Sequence, residues 1–426
     1  VQRLCASRQN ICSCCGGVDM SLLTSRLPGF RNRGAQPIAD TKPLTSMNSL
    51  WLTTLTLMGI GLVMMTSASM DLGSSLANDP LYFFKRQLFF IGLGLIIMLS
   101  VLTISMRVWY RFSHILLIVA ALLLVAVLIP GLGTVVNGSA RWIDLGFYRL
   151  QPSEMTKLFL ILYIAAYLSR RRDEVHNNWA GFLKPMAILG LLVVLLYLEP
   201  DHGAIVILMA TTFTMLFLAG ARLHRFVLIM MVSFAGVASL AIMKPHVISR
   251  LTSFLNPWAD EYVYGEGYQL TQALIGFGRG EWLGVGLGNS IQKLYFLPEA
   301  HTDFILSIVA EETGLLGVVL ILMLFVFLIV KGMKIARAAE QQGAYFVAYV
   351  AYGIAMVFAT QTFINFGVNT GLLPTKGLTL PFLSYGGNSL IISCLMMGVL
   401  MRADYELQTG QLLIQNAGQD AEEEIT

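Results

Sequence analysis

Charge is scarce in this sequence. Of its 426 residues only 12% are Asp, Glu, Lys or Arg, while 56% are hydrophobic. Soluble domains carry roughly 25% charged residues, and a soluble core of this length could not absorb the apolar surplus. A water-soluble enzyme is thereby excluded. Cysteine is nearly absent beyond Cys5, Cys12, Cys14 and Cys15. No histidine lies near those four and their spacing fits no common zinc pattern, so the expectation is a reduced, disordered cytoplasmic tail. Basic residues form no stripe interleaved with aromatics, which excludes nucleic acid as a partner. No internal repeat is evident, which counts against an inverted-repeat transporter. Residues 1–47 begin at Val1, include Met20 and Met47, and are polar, so no cleavable signal peptide is expected.

What the chain has instead is long apolar blocks. Each is about 15 to 27 residues, the length that spans roughly 30 Å of hydrocarbon as a helix. Lipid offers no hydrogen-bond partner to a bare backbone, so these blocks must be helices. The candidates cover residues 51–68, 88–104, 115–129, 155–168, 183–198, 204–221, 226–243, 304–330, 345–366 and 378–401. The predicted fold is therefore an all-α integral membrane protein, a polytopic bundle of about ten transmembrane helices. It comprises a cytoplasmic tail (1–47), a membrane domain (48–402) and a second cytoplasmic tail (403–426). Lysine and arginine set the direction. The alternating segments that hold the N-terminal tail, Arg107, Arg111, Arg170–Arg172, Lys184, Arg222, Arg225, Lys331, Lys334, Arg337 and Arg402 carry about twice the basic residues of the other set. These face the cytoplasm, as do both termini.

The longest loop, 244–303, then falls outside. Its stretch Gly265–Gly278 alternates apolar and polar residues in a helical manner and is expected to fold back on the bundle or lie in the interface. Gly284-Val285-Gly286-Leu287-Gly288 looks like a dinucleotide loop but lacks a parallel-sheet context, so it reads as a flexible bend.

Ionisable groups at span edges are costly and mark function. They are Glu154 and Lys157, three apart on one helix face, then Glu199 and Asp201, then Asp303, Glu311 and Glu312. Asp303, Ser307 and Glu311 are spaced four apart and form a stripe. The topology puts these groups on one membrane side, where helix N-termini with Arg141, Lys157, Arg279, Lys293 and Lys376 suit an anion. The alternative is that they pair structurally in a hydrated layer of helix caps.

At these residues the sequence resembles the SEDS family (shape, elongation, division and sporulation), most of all its division members. The resemblance rests on Gly138-Ser139-Ala140-Arg141-Trp142-Ile143, Gln151-Pro152-Ser153-Glu154 with Lys157, and Glu199-Pro200-Asp201-His202-Gly203. It continues through Gly267-Tyr268-Gln269 to Gly288-Asn289-Ser290, then Leu297-Pro298-Glu299-Ala300-His301-Thr302-Asp303-Phe304. It ends with Leu373-Pro374-Thr375-Lys376-Gly377-Leu378 and Pro381-Phe382-Leu383-Ser384-Tyr385-Gly386-Gly387. Glu199 departs from the family, where Gln is common. The resemblance implies a peptidoglycan glycosyltransferase of the inner membrane that polymerises lipid II into glycan strands at the division septum. It further implies a class B penicillin-binding protein as transpeptidase partner, among other division membrane proteins. It carries Asp303 over as the catalytic residue, with His301, Thr302 and Glu311 in support. Arg141, Glu154, Lys157, Asp201 and Lys376 are the candidates for binding substrate and pyrophosphate, and a divalent cation (Mg or Mn) is a conceivable helper. Two other roles compete: a lipid II flippase, and a scaffold that only recruits the transpeptidase.

Overall fold

The computed structural model describes residues 43–136, 139–146, 148–222, 224–228, 230–231, 252–375 and 377–410. The long helices are α1 (Pro43–Ala77), α2 (Tyr82–Leu102), α3 (Met106–Leu128), α4 (Pro152–Arg170), α6 (Trp179–Leu198), α7 (His202–Leu218), α9 (Tyr268–Gly280), α10 (Ile305–Gln341), α11 (Tyr345–Asn369) and α12 (Gly387–Gln408). Two short helices, α5 (Arg172–Asn177) and α8 (Asp260–Val263), lie between them. Among the described residues, six helices are long and apolar enough to cross a membrane: α1, α2, α3, α6, α10 and α11. The shorter or more polar α4, α7 and α12 occupy three of the other expected spans. The seventh expected span, 226–243, lies largely outside the described residues, as do the N-terminal cysteines and residues 411–426.

Helix α11 is the hub, with 83% of its apolar window buried. It packs on α4, α7, α10 and α12, while α2 packs on α12 and α3 on α4. Small residues permit close approach, as membrane interfaces require. At Gly353 of α11 an added Cβ would lie 2.5 Å from Ile161 of α4. On the rim, α2 and α3 turn Phe89, Ile96, Ile118 and Leu122 outward, as helices facing lipid do.

Three departures from the sequence reading have physical causes. The fold is not wholly helical: β1 (Gly133–Val136), β2 (Ser139–Asp144) and β3 (Arg149–Leu150) form an antiparallel sheet in the order β1-β2-β3. The last span starts at Gly387 rather than 378 and its helix continues to Gln408, past the expected end at 401. Residues 378–386 are instead an irregular strap, held where Ser384 Oγ accepts from the Leu380 amide at 2.8 Å. Third, α10 is interrupted at Gly314, whose φ of 69° and ψ of −169° are costly for any residue but glycine. The outer loop enters the break. The amides of Val285 and Gly286 donate to the carbonyls of Glu311 and Glu312 at 2.9 and 3.1 Å, and Leu315 N donates to Glu281 O at 2.9 Å. The glycine run 284–288 is therefore an ordered strap with positive φ at Gly284, Gly286 and Gly288, not a flexible bend.

Arginine collects at one end of the bundle. Arg225 donates to the carbonyls of His176 and Asn177, Arg402 donates to Leu102 O at 2.9 Å, and Arg172 stacks over Tyr345. The expected carboxylates collect at the other.

Candidate active site

Four chain segments converge at the carboxylate-bearing end. Helix α7 begins at Asp201, whose side chain accepts from Ala204 N at 3.2 Å, satisfying one of the orphan amides of a helix start. Its other oxygen accepts from Ser153 Oγ at 2.7 Å, so Asp201 ties the start of α7 to the start of α4. Strand β2 brings Arg141 over this junction, where the guanidinium donates to the carbonyls of Glu199 and Pro200. Gly203 then lets Leu378 of the strap approach, for a Cβ there would fall 2.6 Å from its side chain.

Asp303 stands in the turn just ahead of Phe304, the N-cap of α10. Its main-chain carbonyl accepts from Asn365 Nδ2 at 3.0 Å and from Asn369 Nδ2 at 3.1 Å. Its carboxylate, by contrast, accepts no hydrogen bond among the described residues, and the residue is only partly buried. Burial pushes the carboxyl up from 3.8 to about 7, the charge of Glu299 adds to the rise, and Arg141 opposes it. Gly377 abuts the carboxylate, since a Cβ there would lie 3.2 Å from Oδ2. The neighbouring His301 packs its ring against Phe83 and Tyr385, with centroids 5.1 and 5.6 Å away, and burial lowers its pKa. Tyr385 N also donates to His301 O at 2.9 Å, fastening the turn to the strap.

The remaining acids are occupied or sealed. Glu154 binds Lys157 Nζ at 2.8 Å, with the lysine only 1% exposed. Glu299 accepts from Thr302 Oγ1 at 2.7 Å. Glu311 accepts from Arg279 at 2.7 Å, from the amides of Ile291 and Gln292, and from Ser290 Oγ. Glu312 accepts from Ser67 Oγ at 2.7 Å and Lys293 Nζ at 3.1 Å. Among the described residues Glu199 has no hydrogen-bond partner for either oxygen but is wholly buried, and burial pushes its carboxyl up to about 8, with Asp201 adding and Arg141 opposing. Asp303 alone in this set is both unpartnered and reachable.

Beside this centre, Lys85, Arg86, Phe89, Phe90, Leu93 and Tyr148 line a cavity of about 360 Å³. Its basic rim sits at the start of α2, with the apolar wall one to two turns further along. Phe90 meets Tyr148 at 5.8 Å, and Tyr148 donates to Asn388 at the start of α12.

Residues 47–409 match the family model of FtsW, RodA and SpoVE, described as cell cycle proteins. The chain belongs to this family. It is 50% identical over 372 residues to a protein of Hahella chejuensis named "Probable peptidoglycan glycosyltransferase FtsW", covering 87% of this chain and 93% of that one. A protein of the same name from Pseudomonas fluorescens is 49% identical over 355 residues, covering 83% and 87%. Among solved structures, one described as "Structural coordination of polymerization and crosslinking by a peptidoglycan synthase complex" superposes with a TM-score of 0.68 at 28% identity, covering 84% and 97%. The rod shape determining protein RodA of Thermus thermophilus gives 0.62 at 26% identity, covering 84% and 96%.

Of the residues expected at the site, the structure gathers Arg141, Asp201, His301, Thr302 and Asp303, and pairs Glu154 with Lys157. The stripe Asp303–Ser307–Glu311 does not act together. Ser307 Oγ turns to Asn369 Oδ1 at 2.8 Å, and Glu311 holds the outer-loop segment 290–292. Glu311 is thus an anchor of the α10 break rather than a support of Asp303. Lys376 lies outside the described residues. Asn365 and Asn369 were not anticipated, because neutral polar residues in apolar runs look like packing. Among the described residues no three His, Cys, Asp or Glu side chains gather to make a metal cage.

Proposed function

We propose that this chain is a peptidoglycan glycosyltransferase that polymerises lipid II, with Asp303 as general base. The single observation that carries the reading is the state of its carboxylate: reachable, unpartnered and raised to about 7. A base poised near the working pH is what proton abstraction needs. Family membership and the names of the relatives support the reaction class.

The step balances simply. The acceptor sugar's hydroxyl oxygen bonds to the donor's anomeric carbon while the bond from that carbon to the diphosphate oxygen breaks. The hydroxyl proton passes to Asp303, and undecaprenyl pyrophosphate leaves with the electron pair. One displacement turns an α-linked donor into a β-linkage, so no nucleophilic carboxylate is required. Arg141 is the cation placed to meet the leaving charge. Lys157 is committed to Glu154 and serves the scaffold. The cavity at Lys85 and Arg86 offers an entry for a polyprenyl phosphate from the lipid side.

The positive-inside rule puts the arginine-rich end in the cytoplasm and this site on the outer face of the inner membrane. A flippase would want carboxylates at mid-membrane that answer to both sides, yet the deepest acids, Glu311 and Glu312, are saturated by partners. A class B penicillin-binding protein is the partner we assign, at the septum, because a similar solved structure is of a complex that couples polymerisation to crosslinking. The test is polymerisation of lipid II by purified Asp303→Asn. A loss of ~10²–10⁴-fold is expected, the usual contribution of a positioned base. Wild-type turnover should rise with pH through about 7 as Asp303 ionises. Near wild-type activity of Asp303→Asn would refute the assignment.

A further inference from the structure

Two asparagines stand one turn apart at the end of α11, buried to 1% and 0% exposure. An unbonded amide there would be costly, and each is fully employed. Asn365 has two donor hydrogens on Nδ2, and that atom bonds Asp303 O at 3.0 Å and Leu378 O at 2.8 Å. Asn369 Nδ2 bonds Asp303 O at 3.1 Å and its own helix at Asn365 O, 2.9 Å away. Its Oδ1 is oriented by Ser307 Oγ at 2.8 Å, from the first turns of α10. Four elements thus meet on these two side chains: the Asp303 turn, α10, α11 and the strap.

We infer that Asn365 and Asn369 are positioning residues for glycosyl transfer, a clamp that fixes the Asp303 carboxylate by gripping its main chain and leaves its oxygens free for the acceptor. This rests on the general-base reading of Asp303. The bond to Leu378 O has a second effect. It seats Gly377 against the carboxylate, where even a Cβ would come within 3.2 Å of Oδ2. The clamp therefore sets both the direction of the base and the wall beside it.

Among the described residues, the charged groups acting on Asp303 are Glu299 from its own turn and Arg141 from β2, while His301 of the same turn packs its ring on Phe83 and Tyr385. The clamp leaves these unchanged, so a loosened carboxylate should differ mainly in how wet it is. Its pKa should then fall towards the ordinary carboxylate range.

The experiment measures lipid II polymerisation against pH for purified Asn365→Leu and Asn369→Leu, which keep the branched shape of the side chain and remove the donors. Turnover should fall about 10- to 100-fold, as a misplacement near 1 Å costs. KM for lipid II should stay within about twofold, because the clamp does not touch the substrate-binding cations. The acid limb of the profile should move to lower pH. Ser307→Ala, a smaller change that merely frees Asn369, should give a weaker shift in the same direction and decides the matter if the Leu variants do not accumulate. Unchanged turnover and limb, with Asp303→Asn inert, would overturn the clamp and spare the general base. Lower turnover with an unmoved limb would make the asparagines structural and also overturn it. If Asp303→Asn itself stays active, clamp and base fall together.

Discussion

Replacing Lys157 tests how this protein uses charge. Its Nζ sits 2.8 Å from the Glu154 carboxylate, and the two side chains are 1% and 11% exposed. Lys157→Met fills similar space but leaves Glu154 buried without its countercharge. Breaking a buried pair from one side costs ~3–5 kcal/mol, most of it for the charge left behind. The exposed Arg149–Asp144 pair, 3.5 Å apart with side chains 58% and 42% exposed, offers the contrast, and Arg149→Ala should cost ~0–1 kcal/mol. The assay is unfolding of purified protein in one detergent, followed by intrinsic fluorescence at low and high salt. The Lys157 loss should barely respond to salt, because ions cannot screen a group they do not reach. Adding Glu154→Gln to Lys157→Met should restore much of the stability, since it removes the orphaned charge. Equal small losses for Lys157→Met and Arg149→Ala would refute the burial argument. So would a double variant no better than the single one.

Two further outcomes are expected. Glu199 should be neutral in the folded protein and ionised in the unfolded one between about pH 4.5 and 8, because its carboxyl is raised across that interval. The folded state then binds more protons, stability falls as pH rises through the window, and Glu199→Gln should flatten that fall and be the more stable protein at pH 8. Identical stability–pH slopes would count against it. At Gly280, a Cβ would lie 1.9 Å from Ala310 O, whereas at Gly278 it would meet nothing within 4 Å. Gly280→Ala should therefore part α9 from α10 at a cost of ~1–3 kcal/mol, while Gly278→Ala is neutral or gains ~0.5–1 kcal/mol, both read as melting shifts.

Much of this was legible in the chain, and what was not has a common cause. Apolar block length found the long helices, because lipid makes hydrogen bonding a local matter. The Glu154–Lys157 pair followed from a spacing of three on one face. The break at Gly314 did not, because its cause is a strap more than 20 residues upstream in the chain whose amides replace the helix's own. The stripe through Ser307 and Glu311 failed for a related reason. Helical spacing says which residues share a face, not which neighbour each one answers. Asn365 and Asn369 were invisible as site residues, since their meaning lies in a carbonyl some 60 positions away along the chain. The sheet at 133–150 was missed because its strands are too short for a period-two pattern to stand out.

The structure also separates two ways of holding a charge. Glu154, Glu311 and Glu312 are held by opposite charges, through Lys157, Arg279 and Lys293. Such pairing fixes position but cancels the field, so neither member retains much pull on a substrate. Arg141 and Asp303 are held differently. The guanidinium is fastened by neutral main-chain carbonyls, and the aspartate by amides gripping its own backbone. A neutral partner fixes geometry while leaving charge uncancelled, which is the condition for electrostatic work on a reacting bond. In a chain with so few ionisable residues, and with Asp303 as the proposed base, the partner's charge would then divide scaffold from chemistry. Exchanging the two modes should abolish function without unfolding: an acid introduced at His202, whose ring shares the Pro200 carbonyl with Arg141, should neutralise the guanidinium's field. His202→Glu should then slow polymerisation while leaving the melting temperature near wild type. Full activity in that variant, with its carboxylate placed beside Arg141, would mean that the field of Arg141 does not reach the leaving group.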